Sequence, residues 1–273
     1  KGGSQLMAAQ AVCPAWAYYQ YRLGARALGE PTEGLDSMTR GNLVHAVLQH
    51  FWIDCKSSEA LTQLDTDSLN QRVNAAIAQA FNSLNHALPA QLLKLEHQRL
   101  FALVQAWLGY EMQRKRFEVI ACEAQYPIHI HGLDIMCRID RIDAIDDGKL
   151  VIIDYKTGAA DPKTSGWADA RVKEPQLPLY ASVALKDKEV VAVLFAKIHA
   201  EGSKFFGVSD AEGIPDIKPM AQARSNSALK QLSELPTLIE HWQNSLTQLA
   251  DEIVSGVASV QFEDENALMY CDV

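Results

Sequence analysis

The sequence predicts an α/β fold: a central mixed β-sheet, made of an antiparallel meander plus a later strand, flanked by helices and carrying a long helical insertion. Three observations lead there. Helical patterning occupies the chain to about Arg116, the texture turns β-rich at Phe117, and a strongly apolar run stands between two helical stretches further on. Apolar residues recurring every three to four positions mark helices, and alternation at a period of two marks strands.

Residues 6–27 hold Trp16, Tyr18, Tyr19 and Tyr21 with no proline after Pro14, which predicts an aromatic-rich helix ending near Gly29. A loop of Gly, Pro, Thr and Asp follows, and Ser37 is expected to cap a helix running to about Cys55. On it Leu43, Val44, Val47, Leu48, Phe51 and Trp52 form one apolar stripe. Residues 67–116 stay helical in pattern, broken at Pro89, whose ring cannot sit in a helix interior. Beyond Phe117, strands are expected at 119–120, 126–130, 133–145 and 150–155, with turns at His131-Gly132 and Asp146-Asp147-Gly148. A polar loop to about Ala170 leads to a short helix around 175–186. The apolar run 189–199 then reads as a buried strand, and about 220–257 returns to helix. The chain is expected to be a single domain over 1–273. It divides into a helical part to about 116, an α/β core over about 117–210 and a C-terminal helical part over about 211–273.

Composition bounds the function. With 48% apolar residues the chain can bury a substantial core. Its five cysteines, Cys13, Cys55, Cys122, Cys137 and Cys271, are odd in number and scattered, which argues against a disulfide framework and for a reducing cytoplasm. No apolar stretch reaches the roughly 18 residues of a membrane span, so a soluble protein is expected. The formal charge of -9 counts against nucleic-acid binding, which needs clustered Lys and Arg. Much of the acid is expected on the insertion and termini, including Asp251, Glu252, Glu263, Asp264 and Glu265. Arg114, Lys115, Arg116, Lys163, Arg171 and Lys173 are expected to line a path for a nucleic-acid strand.

The chemistry concentrates at Val151-Ile152-Ile153-Asp154-Tyr155-Lys156. Spacing by two puts Asp154 and Lys156 on one strand face, in a phosphodiesterase a carboxylate for Mg²⁺ beside a lysine that positions or deprotonates a water. A surface ion pair at a strand end is the competing reading. The preceding strand, Arg138-Ile139-Asp140-Arg141-Ile142-Asp143, is joined to it by the Asp-Gly hairpin and brings Asp140 within reach. Asp143, nearer the turn, is expected to be solvated. Two carboxylates sharing a site repel unless a cation separates them. His45 sits at the flank of its helix's apolar stripe, about 100° from its centre, where it is either a metal ligand or an ordinary helix histidine. Gln176 and Tyr180 lie one helical turn apart and are able to face one substrate, although Tyr180 could equally pack with Leu177 and Leu179.

Taken together, Gly41-Asn42-Leu43-Val44-His45, Arg138 to Asp143, Ile153 to Gly158 and Gln176 to Tyr180 resemble, in order, the motifs of the RecB-type PD-(D/E)xK nucleases. The resemblance implies a restriction-endonuclease-like core and Mg²⁺-dependent DNA hydrolysis, with Mn²⁺ as a substitute. It assigns His45, Asp140, Asp154 and the main-chain carbonyl of Tyr155 to the metal. Lys156 becomes the catalytic lysine, acting with Asp154 and Asp140, and Gln176 and Tyr180 contact DNA. The Cys13-Pro14 start and Arg22-Leu23-Gly24 are similar to the C-terminal nuclease portion of AddB-like repair proteins. That implies a fragment of a longer bacterial protein, DNA as substrate, a superfamily I helicase domain or subunit as partner, and a role in repair or recombination. Many such domains hold an iron-sulfur cluster with one cysteine near the start and three near the end. Only Cys13 and Cys271 fit that pattern, Leu268 standing where another cysteine is expected, so no intact cluster is expected. The rival readings are a catalytically inactive DNA-binding or scaffolding module derived from a nuclease, and a hydrolase of another phosphodiester.

Overall fold

The structure is a computed structural model that describes residues 2–26, 34–84, 88–222, 232 and 234–262. Two short helices stand where one was expected over 6–27. Cys13 is forced into extended backbone (φ −155°) ahead of Pro14, so α1 (Gly3–Val12) ends there. Helix α2 (Pro14–Ala17) then runs into a π-helical turn over Tyr18–Arg22. The expected end near Gly29 lies outside the described residues.

Helix α3 spans Ser37–Cys55. Its cap is Asp36 and not Ser37: the Asp36 carboxylate accepts the Thr39 N–H at 2.6 Å, and Ser37 is the first helical residue. A short α4 (Ser58–Thr62) follows. The helical insertion comprises α5 (Thr66–Phe81), capped by Asp65, and α6 (Ala90–Glu111), which starts directly after Pro89.

The sheet has order β1-β2-β3-β4-β5. Strands β1 (Glu118–Ile130) and β2 (Leu133–Ile145) form a long hairpin turning at His131 and Gly132, both at positive φ. The gap expected between 120 and 126 is closed, because β1 runs through with an irregularity between Val119 and Ala121. Strand β3 (Lys149–Lys156) pairs antiparallel to β2 and parallel to β4 (Val190–His199). Between them lie α7 (Gln176–Leu179) and a π-helical turn over Tyr180–Ala184. Strand β5 (Gly202–Ser209), which the sequence pattern does not predict, pairs antiparallel to β4. Its two glycines suggest a loop, but a Cβ on Gly207 would stand 2.2 Å from the Val193 carbonyl, so only glycine fits that strand position. Helix α8 (Leu235–Val254) closes the described chain. Among the described residues no helix is long and apolar enough to cross a membrane.

The sheet is buried on both faces. Val151, Ile153, Tyr155, Ala192 and Leu194 face the stripe of α3 with α5 and α6. Leu150, Ile152, Val193 and Phe195 face α1, α7 and α8 around Trp167 and Trp242. This double burial explains the unbroken apolar runs of β3 and β4. It also leaves the ends of these two parallel strands, at Lys156 and His199, to open on the surface.

Candidate metal centre

Strand register gathers the acids. Arg141 pairs with Ile153 across β2 and β3, and one step further along the same register Asp140 stands opposite Asp154. Across β1 and β2, Cys122 pairs with Arg141 and Ala124 with Ile139, so Glu123 falls opposite Asp140. Three carboxylates therefore lie one per strand in a line. Glu123 sits at φ +50°, a left-handed conformation that is costly for a residue with a side chain.

His45 reaches this line from α3. Its Nδ1 is 3.2 Å from Asp140 Oδ2 and 3.7 Å from Glu123 Oε1. The ligand atoms of His45, Glu123 and Asp140 all lie within 4.8 Å of one another. The imidazole packs edge-on against the Tyr155 ring at 5.7 Å, while the Tyr155 N–H donates to Asp140 Oδ2 at 2.8 Å. Burial works to lower the pKa of His45, but hydrogen bonds to Asp140 and Glu123 outweigh it and raise it to about 10. Gly41 lets α3 come this close: a Cβ there would lie 2.9 Å from Thr157 Oγ1 at the end of β3.

Asp154 and Lys156 share one face, as their spacing requires. Lys156 Nζ lies 2.8 Å from Asp154 Oδ2, an ion-pair distance without hydrogen-bond alignment, so that buried oxygen has no hydrogen-bond partner. Burial, then the neighbouring charge of Asp140, lifts the Asp154 pKa to about 6 against the offsetting pull of Lys156. Glu123 Oε2 is the other buried carboxylate oxygen without a hydrogen bond, although the Arg138 guanidinium pairs with it at 2.8 Å. Two buried, incompletely satisfied carboxylate oxygens beside a His–Glu–Asp cluster are the donor set a hard divalent cation takes.

Gln176 ties the parts together. Its Nε2 donates to Asp154 Oδ1 at 2.6 Å and to the Tyr180 hydroxyl at 3.2 Å, and its Oε1 accepts from Lys156 at 3.1 Å. Tyr180 is 2% exposed and donates to the Arg138 carbonyl at 2.6 Å. It is therefore anchored to β2 behind Gln176.

Two further expectations are corrected. Asp143 is not solvated but fully buried, held by Arg141 (2.6 Å) and Arg114 (2.8 Å) in a network that includes Glu111. Of the basic residues expected to line a strand path, Arg114 is thus buried and Arg171 is bound to Glu252 and to the carbonyls of Gln10 and Ala11. Lys115 and Arg116 pair with Glu212 and Glu59. Cys13 is buried with a free thiol, and Cys271 lies outside the described residues.

A model of the PD-(D/E)XK nuclease superfamily matches residues 7–273. The chain belongs to that superfamily. Over 174 residues this nuclease-superfamily chain is 29% identical to an ATP-dependent helicase/deoxyribonuclease subunit of Acetivibrio thermocellus, covering 56% of the chain. It spans only 15% of that relative's length. The solved structure of SSO0001 aligns over 98% of this chain and 91% of its own at 15% identity, with a TM-score of 0.32, too low to carry an argument. Asp154-Tyr155-Lys156 is an acid-x-lysine triplet, and the strand register sets Asp140 opposite Asp154. Glu123 is the residue that sequence reasoning missed. Its strand has no clear alternation, and only the register with Asp140 singles it out.

Proposed function

We propose that this chain is a single, metal-dependent deoxyribonuclease domain of a longer bacterial cytoplasmic protein, acting in DNA repair or recombination beside a superfamily I helicase. The reading rests on one observation: Glu123, Asp140 and Asp154 stand opposite one another across three strands, with His45 against Asp140 and Glu123 and Lys156 against Asp154.

His45, Glu123, Asp140 and Asp154, with the main-chain carbonyl of Tyr155, would hold Mg²⁺, with Mn²⁺ as a substitute. Such an ion offsets phosphate charge and lowers the pKa of a bound water. The chain's own groups do the positioning. Lys156 holds a positive charge next to Asp154, where it orients the attacking water and opposes charge developing on the phosphate. Gln176, braced by Tyr180, fixes both the Asp154 carboxylate and the Lys156 ammonium, so neither swings away when the substrate enters. Asp140 is held by the Tyr155 N–H, which ties its carboxylate to the strand that carries Asp154. The similarity to a helicase/deoxyribonuclease polypeptide supports the helicase partnership.

The test is cleavage of end-labelled linear and circular DNA in Mg²⁺. Loss of activity in both Asp154→Ala and Lys156→Ala is expected. Full activity in either removes the site assignment, and DNA binding without cleavage in both Mg²⁺ and Mn²⁺ favours an inactive DNA-binding module instead.

A further inference from the structure

Of the basic residues first expected on a strand path, Arg114, Lys115, Arg116 and Arg171 pair with carboxylates while Lys163 lines a cavity with Lys156, which leaves little to offset the -9 charge of the chain. A different part of the surface answers this. At the carboxyl ends of β3 and β4, beside the start of α3, lies a cavity of about 320 Å³ lined by Ser37, Arg40, Arg99, Thr157 and His199. The crevice outside the carboxyl ends of parallel strands is where ligands bind in open α/β sheets.

The two arginines there are held in place, not loose. Glu96, 2% exposed, accepts from Arg99 Nε at 2.8 Å and pairs with Arg40 Nε at 3.6 Å. Arg99 also donates to the Arg40 carbonyl at 3.4 Å. One buried carboxylate therefore serves two guanidiniums. The cluster carries one net positive charge with donors to spare, since each guanidinium offers five N–H groups. Both side chains keep substantial exposure, 47% and 31%, at the cavity wall. Preset guanidinium forks with hydroxyl donors of Ser37 and Thr157 beside them suit a tetrahedral oxyanion.

Position decides what that oxyanion is. Gly41 is one helical turn before His45, about 6 Å along α3, and Thr157 directly follows Lys156. Both residues line the cavity, which therefore adjoins the metal centre. We infer that this cavity is a phosphate subsite, in which Arg40 and Arg99 grip a backbone phosphate of the DNA strand next to the bond being cut. The inference rests on the nuclease reading above.

The test is fluorescence anisotropy with labelled single-stranded DNA, using the full chain carrying Asp154→Ala so that the strand stays uncut, titrated across salt concentrations. Adding Arg40→Gln and Arg99→Gln is expected to weaken binding about tenfold, the scale of a charged hydrogen bond, on every sequence tried. The slope of log affinity against log salt should fall by about 0.7 for each phosphate no longer neutralised. Because removing both arginines strands a buried carboxylate, Glu96→Gln is the second arm. Its amide oxygen still accepts from the arginines and keeps them placed while the competing negative charge is gone, so it is expected to tighten binding and keep the wild-type melting temperature within a few degrees. Arg72→Gln, at a remote surface pair with Asp54, should change nothing. Unchanged slope and affinity in the double arginine variant, or weaker binding in Glu96→Gln, overturn the subsite. A loss confined to strands bearing a 5′-phosphate overturns the backbone assignment in favour of a terminal one. Cleavage by the unaltered chain, measured alongside, separates the two readings. If it cuts DNA and the arginine variants bind normally, only the subsite fails; if it neither cuts nor binds, the nuclease reading fails first.

Discussion

Replacing Arg141 by Met should destabilise this fold by several kcal/mol. Arg141 is fully buried and forms a fork to Asp143 (2.6 and 2.9 Å) and to Glu111 (3.1 and 3.2 Å), and its Nη1 donates to the Tyr155 hydroxyl at 3.3 Å. Its guanidinium also lies 4.1 Å from the centre of the Trp52 ring. With Arg114 the network holds two positive and two negative charges, all at 1% exposure or less. Met keeps the volume but leaves two buried carboxylates to one guanidinium. Breaking a buried pair by removing one partner costs about 3–5 kcal/mol. At roughly 2–4 °C per kcal/mol for a domain of this size, the melting temperature should fall by about 10–15 °C. The double variant Arg141→Met, Asp143→Asn returns the network to charge balance and should recover more than half of that loss. Thermal unfolding followed by circular dichroism, with urea titration for the free energies, measures the cycle. A single variant within about 1 kcal/mol of wild type, or a double variant no better than the single, would show that charge imbalance is not what these residues hold in check.

Other consequences follow from the same geometry. Glu123→Gln removes a carboxylate of the proposed centre without removing volume and should weaken Mn²⁺ binding, read by calorimetry, by about 10-fold or more; undiminished affinity would take Glu123 out of the centre. Tyr180→Phe removes the hydroxyl that holds the Arg138 carbonyl and should cost about 1 kcal/mol while lowering the cleavage rate and leaving DNA affinity unchanged. A drop in affinity alone would make Tyr180 a substrate contact after all. Cys137 is buried and its thiol is pushed up to about 12, and burial likewise takes Cys122 to about 11. Since the pKa values are raised, the reactive thiolate is nearly absent below them, so both should resist maleimide at pH 8 until the protein is unfolded. Peptide mapping of the labelled native protein checks this.

Much of the site was legible because its chemistry is written along single strands. The spacing of Asp154 and Lys156 by two states their shared face outright, and the Asp-Gly turn between β2 and β3 places Asp140 beside them. His45 could be put at the flank of its helix but not against a partner, since a wheel gives direction and not distance. Glu123 was silent for a different reason. Its strand has one face against a helix and the other partly solvated, so its pattern is mixed, and its role depends on pairing across two hairpins. Asp143 was misjudged because nearness to a turn was taken for exposure, whereas Arg141 and Arg114 draw it into the interior. The misplaced basic path has the same origin: sequence proximity to the site does not say which carboxylate has already claimed an arginine. In the fold, the strands and long helices were visible from apolar periodicity. β5 was hidden by glycines whose use, the close approach of Gly207 to Val193, exists only once β4 is beside it.

The one-per-strand placement of the three carboxylates has an evolutionary cost. A strand side chain changes face with every residue, so a one-residue slip in either pairing moves a carboxylate about 3.3 Å and turns it to the other side of the sheet. Insertions or deletions at the His131-Gly132 turn or around Asp146 to Gly148 are therefore as damaging to the centre as loss of Glu123 or Asp154 itself, though neither turn touches it. In this chain the length of two distant hairpin loops should be under as tight a constraint as the acids they align.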